Sequence, residues 1–252
     1  MVITFLGTGT STGVPILACS CGVCKSADPH DKRTRPSILV EHDGRVVLID
    51  ATPDLRAQAL REGLARLDAV LFTHAHADHV LGLDDTRAYY FRQQVPLPIY
   101  ADERCLASIK RIFTYIFDGT YPYGGVGKLD PHVIEGPFDL WGLRVTPVPV
   151  MHGDAAILGF RFRDVAYLTD VSKIPETSLP LLEGLDVLIL DALRHKPHPT
   201  HFSLEQAVET VERLQPRCAF FTHIAHELGH QETNARLPSH VRLAYDGLKL
   251  QV

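Results

Sequence analysis

The feature that most constrains this chain is a short run of histidines with one aspartate, His74-Ala75-His76-Ala77-Asp78-His79, directly after an apolar stretch that is typical of a buried strand. Burying so many polar groups without a partner would be costly, and imidazole and carboxylate are ligands that suit zinc, manganese and iron. In an extended turn, His74, His76 and Asp78 would alternate onto one side of the backbone. His79 would then point toward a neighbouring position, so that one run can serve two adjacent ions. The run therefore predicts a two-metal hydrolase.

Further acidic and histidine residues lie where predicted strands end. They are Asp50, His74, His152, Asp170, Asp191 and His223. Loops held by a rigid sheet are where sites are usually built, so we expect these groups to converge if the strand ends share one edge. His152, Asp170 and His223 supply the ligands that the histidine run lacks. Asp170 has two carboxylate oxygens and can bridge two ions roughly 3.5–4 Å apart.

Apolar segments of strand type recur along the chain and predict a layered α/β fold. They cover residues 2–6, 38–41, 46–49, 69–72, 144–150, 166–168, 187–190 and 219–221. Asp43-Gly44 stands between the second and third and predicts a hairpin, because a type I′ turn needs positive φ. The strands first cluster as antiparallel segments and then alternate with helices, which indicates a sandwich of sheets covered by helices. No linker or repeat divides the sequence, and we predict a single domain over residues 1–252.

Two segments show helical periodicity. Leu60, Leu64 and Leu67 would share one face of a helix. Apolar residues spaced three and four apart over residues 204–214 predict a second helix that faces the core. Ser203 followed three residues later by Gln206 predicts a capping box at its start.

A cluster of cysteines indicates a separate metal site. Cys19, Cys21 and Cys24 come from one short loop, and in a reducing compartment this spacing favours a metal over disulfides. A structural zinc wants four ligands, and the candidate for the fourth is His226, three residues beyond His223. A zinc there would pin the N-terminal loop to the back of the metal centre. The remaining cysteines, 105 and 218, have no partner in this pattern and are predicted to be core residues.

The charge balance and the hydropathy narrow the classes of partner. The formal net charge is −5, whereas proteins that grip a nucleic-acid backbone usually carry the opposite balance. No apolar stretch approaches the ~20 residues that span a bilayer. The N-terminal residues 1–7 lack the basic region of a signal peptide. We therefore expect a cytoplasmic protein with no membrane partner and no long nucleic-acid substrate.

The ordered motifs resemble those of the metallo-β-lactamase superfamily over essentially the whole chain. They are Phe5-Leu6-Gly7-Thr8-Gly9-Thr10, Leu48-Ile49-Asp50, the run 74–79, His152, Thr169-Asp170 and Thr222-His223. The resemblance implies a four-layer αββα sandwich with metals at one edge. It also implies a role for each residue: a first ion on His74, His76 and His152, a second on Asp78, His79 and His223, Asp170 as the bridge, and Asp50 as a buried carboxylate that braces the ligand loops.

The cysteine motif together with His223-x-x-His226 resembles, more closely, the cyclic phosphodiesterases of the carbon–phosphorus lyase pathway. Those enzymes hydrolyse 5-phosphoribosyl 1,2-cyclic phosphate to ribose 1,5-bisphosphate. The resemblance implies two divalent ions, manganese or zinc, in the active site, one structural zinc, a small phosphorylated sugar as substrate, and a homodimer.

A histidine-rich loop supplies a candidate catalytic residue. His201-Phe202-Ser203 opens a predicted helix, whose N-terminus favours an anion, and resembles the histidine that those phosphodiesterases place near the scissile phosphate. We predict His201 and Asp78 as catalytic residues, with His201 protonating the departing ribose oxygen or stabilising its charge. His195 and His198 lie in the same loop and remain rivals for the role at the phosphate.

Other functions stay open. A tRNA 3′-processing endonuclease would need an extended RNA-gripping arm, whereas residues 117–127 are rich in glycine and aromatic side chains but short, and suit a lid over a small substrate. No feature of the sequence favours a lactone or thioester hydrolase of the same fold. A non-catalytic member, of the kind needed to make the quinone cofactor PQQ, often has degraded metal motifs, whereas here every ligand position is filled.

Overall fold

The strands are short to medium in length, and most of them are buried. The computed structural model describes residues 1–120 and 124–252. In chain order the strands are β1 (Val2–Gly7), β2 (Ser37–His42), β3 (Arg45–Ile49), β4 (Ala69–Leu71), β5 (Leu97–Ala101), β6 (Leu129–Val133), β7 (Phe138–Leu140), β8 (Leu143–His152), β9 (Ala155–Phe162), β10 (Val165–Leu168), β11 (Val187–Asp191), β12 (Cys218–Thr222), β13 (Val241–Leu243) and β14 (Lys249–Gln251).

The helices lie mostly between strands that pair in parallel. They are α1 (Leu55–Glu62), α2 (Ala77–Val80), α3 (Arg87–Gln93), α4 (Glu103–Ile112), α5 (Thr114–Phe117), α6 (Leu204–Leu214) and α7 (His230–Asn234). Short 3₁₀ segments are Pro29–Asp31, Leu83–Thr86 and Glu176–Leu182.

Two mixed sheets hold all the strands of the described residues. The first has the order β14-β1-β2-β3-β4-β5-β6, and the second has the order β13-β12-β11-β10-β9-β8-β7. In each sheet an antiparallel part is joined to a parallel part: β3 to β6 run parallel in the first, and β10 to β13 run parallel in the second. The carboxyl ends of these parallel strands form one edge of each sheet, which is where ligands usually bind in α/β proteins.

Three apolar clusters establish four layers. The middle cluster lies between the sheets, where residues such as Phe5 and Ile49 meet Phe160 and Ile189. A second cluster packs the outer face of the first sheet against α1 and α4, and a third packs the outer face of the second sheet against α6. The predicted αββα sandwich is therefore confirmed.

The local signals at two turns are confirmed as well. Asp43 and Gly44 join β2 to β3 with φ of 47° and 73°, as a type I′ hairpin requires. At the start of α6 the Ser203 hydroxyl accepts from the backbone N–H of Gln206, whose side chain in turn accepts from the backbone of Ser203.

The predicted helical face of Leu60, Leu64 and Leu67 is wrong. Helix α1 ends at Glu62, because Gly63 adopts a left-handed conformation with φ of 63° and closes the helix. Leu60 is therefore 67% exposed, and only the later residues turn toward the sheet.

The predicted lid over residues 117–127 lies partly outside the described residues, which omit 121–123. In the described part of the chain, no helix combines the length and the apolar character needed to cross a bilayer.

Candidate metal centre

The predicted site residues meet where strands of both sheets end. Asp50 follows β3, Asp170 comes soon after β10, and His223 follows β12. These residues have φ of 64°, 58° and 57°, in the left-handed region that L-residues other than glycine rarely adopt. Such conformations persist where the surrounding structure enforces them, and they concentrate at functional sites.

The donor atoms of seven side chains form two groups that share one carboxylate. Within each group the donor atoms lie within 4.8 Å of one another. The first group is His74, His76, His152 and Asp170, and the second is Asp78, His79, Asp170 and His223.

Asp170 lies between the two groups, as expected of a bridging ligand. Its Oδ1 is 3.3 Å from His79 Nε2, and its Oδ2 is 3.4 Å from His223 Nε2. The same Oδ2 is 3.9 Å from His74 Nε2. The carboxylate is 2% exposed and also accepts a hydrogen bond of 2.7 Å from the Thr169 hydroxyl, which holds its orientation.

The histidine run reaches both groups because its backbone changes conformation in the middle. It is extended as far as His76, with φ of −67° and ψ of 154°, and a helical turn begins at Ala77. The expectation that Asp78 shares a side with His74 and His76 is therefore wrong. The helical turn brings Asp78 and His79 together in the second group, where Asp78 Oδ2 is 3.3 Å from His79 Nε2.

Asp50 holds the histidine run in place through hydrogen bonds to Thr73, which precedes the run, and to His79, its last residue. Its carboxylate accepts hydrogen bonds of 2.8 Å from the backbone N–H of Thr73, 2.8 Å from the Thr73 hydroxyl and 2.7 Å from His79 Nδ1. Burial raises the pKa of Asp50, although the contacts with His79 and Thr73 counteract the shift. The side chain is fully buried, so it fixes the start of the run without itself reaching the solvent-facing part of the centre.

Hydrogen bonds at the Nδ1 atoms direct the Nε2 atoms inward. The Thr73 hydroxyl gives its only proton to Asp50, so it accepts from His74 Nδ1 at 3.0 Å. His152 Nδ1 donates to the carbonyl of Thr200 at 2.8 Å, and His79 Nδ1 donates to Asp50. Each ring is therefore oriented with its Nε2 available to coordinate a metal, which is how proteins usually orient histidine ligands.

The residues fit divalent cations. In the described chain, the Nε2 atoms of His74, His79 and His223 are buried without a hydrogen-bond partner, a costly arrangement unless an ion satisfies them. Burial alone would lower the pKa of His223, but Asp170 and Asp78 raise it to about 9. The cluster therefore attracts positive charge. Histidine and carboxylate side chains are common ligands of divalent cations in proteins.

His201 lies against this centre, and its rivals are less engaged. Its ring centroid is 4.7 Å from that of His152 and 4.6 Å from that of His223. His195 is exposed, whereas His198 is half-buried with its ring centroid 5.2 Å from that of His201. Of the three candidates, His201 is the one that packs on predicted metal ligands.

Asp191 has a role that the sequence analysis missed. This fully buried carboxylate accepts hydrogen bonds of 2.8 Å from His201 Nδ1 and 2.8 Å from the backbone N–H of Val171. Its other oxygen is 3.9 Å from His223 Nδ1. The available signal was its position at the end of β11, which it shares with the other acidic groups of the centre.

The predicted cysteine site also assembles. His226 Nδ1 is 3.2 Å from Cys19 Sγ, 3.4 Å from Cys21 Sγ and 3.6 Å from Cys24 Sγ. The three cysteines are free thiols, and together with His226 they form a set of four donors that suits a tetrahedral zinc. A backbone N–H bond from Cys24 is the main cause that lowers the pKa of Cys21 to about 6, which favours a thiolate ligand.

A buried arginine, which the sequence analysis also missed, ties this site to the metal centre. Arg33 is 2% exposed and donates to the carbonyls of Ala225 and Leu228 and to the carboxylate of Asp31. Residues 225–228 begin two positions after His223. Arg33 therefore fixes the segment that carries His226, on the chain side of His223 that leads to the cysteine site.

Comparison with known proteins agrees with this architecture. Residues 45–224 match the sequence profile of the beta-lactamase superfamily domain. The chain belongs to the beta-lactamase superfamily. The resemblance to the metallo-β-lactamase superfamily expected from the motifs is thereby confirmed, and a metal-binding hydrolase is supported.

Individual relatives carry different names. The crystal structure of a protein described as a new diphosphatase from the PhnP family has a TM-score of 0.94 and 49% identity, covering 100% of this chain and 97% of that one. An octanoyltransferase of Porphyromonas gingivalis (strain ATCC BAA-308 / W83) is 42% identical over 97% of this chain, which spans only 50% of that protein's length. Zn(2+)-bound PqqB from Methylobacterium extorquens shares the fold, with a TM-score of 0.82 at 23% identity over 100% of both chains.

Proposed function

We propose that this chain is a phosphodiesterase that hydrolyses a small cyclic phosphodiester, 5-phosphoribosyl 1,2-cyclic phosphate, to ribose 1,5-bisphosphate. The observation that carries the proposal is the pair of donor groups joined by Asp170, with a histidine–aspartate pair, His201 and Asp191, beside them. The likeness to a diphosphatase of the PhnP family, at 49% identity over the whole chain, supports chemistry at phosphorus.

His74, His76 and His152 would hold the proposed first ion. The second would be held by Asp78, His79 and His223, and Asp170 would contribute to both. When bound, manganese or zinc ions at these positions would supply Lewis acidity toward phosphate oxygens and a nucleophile at neutral pH. Asp50 would keep His79 in the orientation needed to hold an ion, through the 2.7 Å bond to its Nδ1.

His201 is proposed to handle the proton of the leaving group. In the reaction a water oxygen forms a new bond to phosphorus, one ester P–O bond breaks, and the departing sugar oxygen takes up a proton. Because Asp191 accepts from His201 Nδ1, the opposite nitrogen of the ring is free to deliver that proton. The buried Asp191 carboxylate also stabilises the charged ring before transfer.

Asp78 is proposed to act as a ligand within the second donor group. Its Oδ2 is 3.8 Å from His223 Nε2 and 3.3 Å from His79 Nε2, within the second donor group. Burial would raise the pKa of Asp78, but the contacts with His223 and His79 outweigh burial and lower it, so the group is ionised and can serve as a ligand. We place its catalytic contribution in positioning the second ion against the phosphate.

A diphosphate ester is the second candidate substrate, favoured by the name of the structure that is 49% identical to this chain. Both candidates need the same two-ion centre, and they differ in the leaving group, which is a sugar hydroxyl in one case and a phosphate in the other. The relative named as an octanoyltransferase is twice as long as the part that this chain matches, since the chain spans 50% of it. Acyl esters are therefore included among the substrates that are tested. We also propose that the protein acts as a homodimer in the cytoplasm without a nucleic-acid or membrane partner.

A hydrolysis panel on one preparation of defined metal content tests the proposal. It compares 5-phosphoribosyl 1,2-cyclic phosphate, a nucleoside diphosphate sugar, a tRNA precursor, a lactone and octanoyl thioesters. We expect the cyclic phosphate to be cleaved with the highest kcat/KM. Preferred cleavage of the diphosphate would favour the second candidate, and turnover of the thioester alone would contradict a phosphodiesterase.

A further inference from the structure

A cavity of about 310 Å³ adjoins the metal centre and extends toward α4. On one side it is lined by His76 and His152, on another by Arg104 and Ser108 of α4, and on a third by Ala156 and Ile157 of β9. Ligand pockets usually measure roughly 300–1,000 Å³, so this volume is at the small end and suits a sugar phosphate better than a polynucleotide.

Arg104 is the cation of this cavity. It is exposed, and within residues 1–120 and 124–252 no carboxylate lies within 4.0 Å of its guanidinium. Arg35, by contrast, pairs with Asp54 at 3.0 Å. Arg194, in the histidine-rich loop, donates to backbone carbonyls. The positive charge of Arg104 is therefore available to a ligand.

The neighbouring acid does not neutralise this charge by contact. Asp102 also lines the cavity, but its carboxylate accepts from the backbone N–H of Cys105 at 2.7 Å and caps α4. The Ser108 hydroxyl lies one helical turn after Arg104 on the same face and is half-buried. One guanidinium and one hydroxyl on a single face suit a phosphate group, which arginine binds through two parallel hydrogen bonds.

We propose that Arg104 binds a second, terminal phosphate of the substrate and so makes the enzyme select phosphodiesters that carry one. The proposal rests on the proposed function, because it places the scissile phosphodiester at the metal centre. The sugar then lies along Ala156 and Ile157, and its terminal phosphate reaches Arg104. Arg104 is a specificity residue here, since it contacts the part of the substrate that does not react.

Removing a remote contact that is equal in the ground state and the transition state raises KM and leaves kcat nearly unchanged. Losing a hydrogen-bonded charge pair of this kind lowers kcat/KM about 10- to 100-fold. The loss should be confined to substrates with the terminal phosphate, and it should shrink at high salt because the guanidinium is exposed.

The test compares two substrates, 5-phosphoribosyl 1,2-cyclic phosphate and ribose 1,2-cyclic phosphate, which lacks the terminal phosphate. Arg104→Gln should lower kcat/KM about 10- to 100-fold for the first through KM, and change the second less than about 3-fold. Arg104→Lys should retain part of the selectivity, because it keeps the charge but not the paired geometry. Lys110→Gln, an exposed cation of α4 that does not line the cavity, is the matched control and should change neither value.

The outcomes separate the two proposals. Equal losses on both substrates in Arg104→Gln protein with wild-type metal content, or no loss on either, would overturn the role of Arg104 and leave the phosphodiesterase intact. Wild-type protein that cleaves neither cyclic phosphate would contradict the proposed function, and the role of Arg104 would fall with it.

Discussion

The cysteine cluster and the histidine–aspartate centre differ in where their ligands come from and in what surrounds them. The cysteine cluster draws three thiols from residues 19–24 and one imidazole from His226, a closed set of four. The histidine–aspartate centre draws seven side chains from strand ends of both sheets and from the segments that follow them, and it opens on a cavity. Closed sets of four ligands are typical of structural zinc, whereas catalytic sites keep room for substrate.

The comparison teaches how one loop can serve both purposes. His223 belongs to the centre and His226, three residues later, belongs to the cysteine cluster. Arg33 holds the segment just after His223 by donating to the carbonyls of Ala225 and Leu228. We infer that the cysteine site acts as an anchor for the ligand loop, so that its loss should affect stability more than chemistry. The predictions below test this division.

The largest effect is expected from Asp170→Asn, which removes the charge shared by both donor groups. Activity should fall by about 10⁴-fold or more, and both ions of the centre should be lost. Asp154→Asn, an exposed aspartate close to His152, is the control for charge and should behave as wild type. An Asp170→Asn protein that keeps its activity would show that Asp170 is not the bridge.

The next largest effect is expected from His201→Ala. Because His201 is proposed to protonate the leaving oxygen, kcat should fall about 10²- to 10³-fold with a sugar leaving group. The loss should be much smaller with a p-nitrophenyl phosphodiester, whose phenolate leaves without a proton. Metal content should not change. His195→Ala, in the same loop but exposed, is the control, and loss of metal from His201→Ala protein would instead make His201 a ligand.

Asp191→Asn should cost less, about 10- to 100-fold in kcat, because it weakens the support of His201 without removing the imidazole. As with His201, the effect should depend on the leaving group. Asp186→Asn, an exposed aspartate just before β11 that pairs with Arg217, should leave kcat unchanged. An equal loss on all leaving groups would indicate that Asp191 acts through His223 instead.

The smallest effect on chemistry is expected from Cys24→Ser. The zinc of the cysteine site should be lost and Tm should fall by roughly 10 °C, because metal binding contributes directly to folding. The kcat of the remaining folded protein should fall less than about 10-fold. Cys218→Ser, a half-buried cysteine outside the cluster, should keep both zinc and Tm. Loss of activity in Cys24→Ser protein as large as in Asp170→Asn would break the distinction between the clusters.

Much of the centre could be predicted from the sequence because its ligands follow strands with strong apolar patterns. The capping box at Ser203 and the hairpin at Asp43-Gly44 could be predicted because they depend on local contacts alone. The strands β5, β6, β7, β9, β13 and β14 were not predicted, since they are short, partly exposed or contain proline.

Other features depend on contacts between distant parts of the chain. Arg33 resembles any surface arginine in sequence, and only the fold shows that it is buried against carbonyls about 190 residues away, Ala225 and Leu228. The side taken by Asp78 depended on where the helical turn begins, at Ala77, which periodicity over six residues cannot determine. Arg104 lies on α4, and it lines the cavity beside the centre only because α4 packs on the first sheet.

The most direct test of the account is the number of metal ions per chain, measured by inductively coupled plasma mass spectrometry on purified wild-type protein and two variants. The two-group arrangement around Asp170 and the cysteine cluster together predict three ions in wild type. They predict one ion, zinc, in Asp170→Asn protein and two ions in Cys24→Ser protein that still hydrolyses the cyclic phosphate. An Asp170→Asn variant that retains all its ions, or a wild-type protein that is active with the cysteine-site zinc alone, would contradict the two-ion centre.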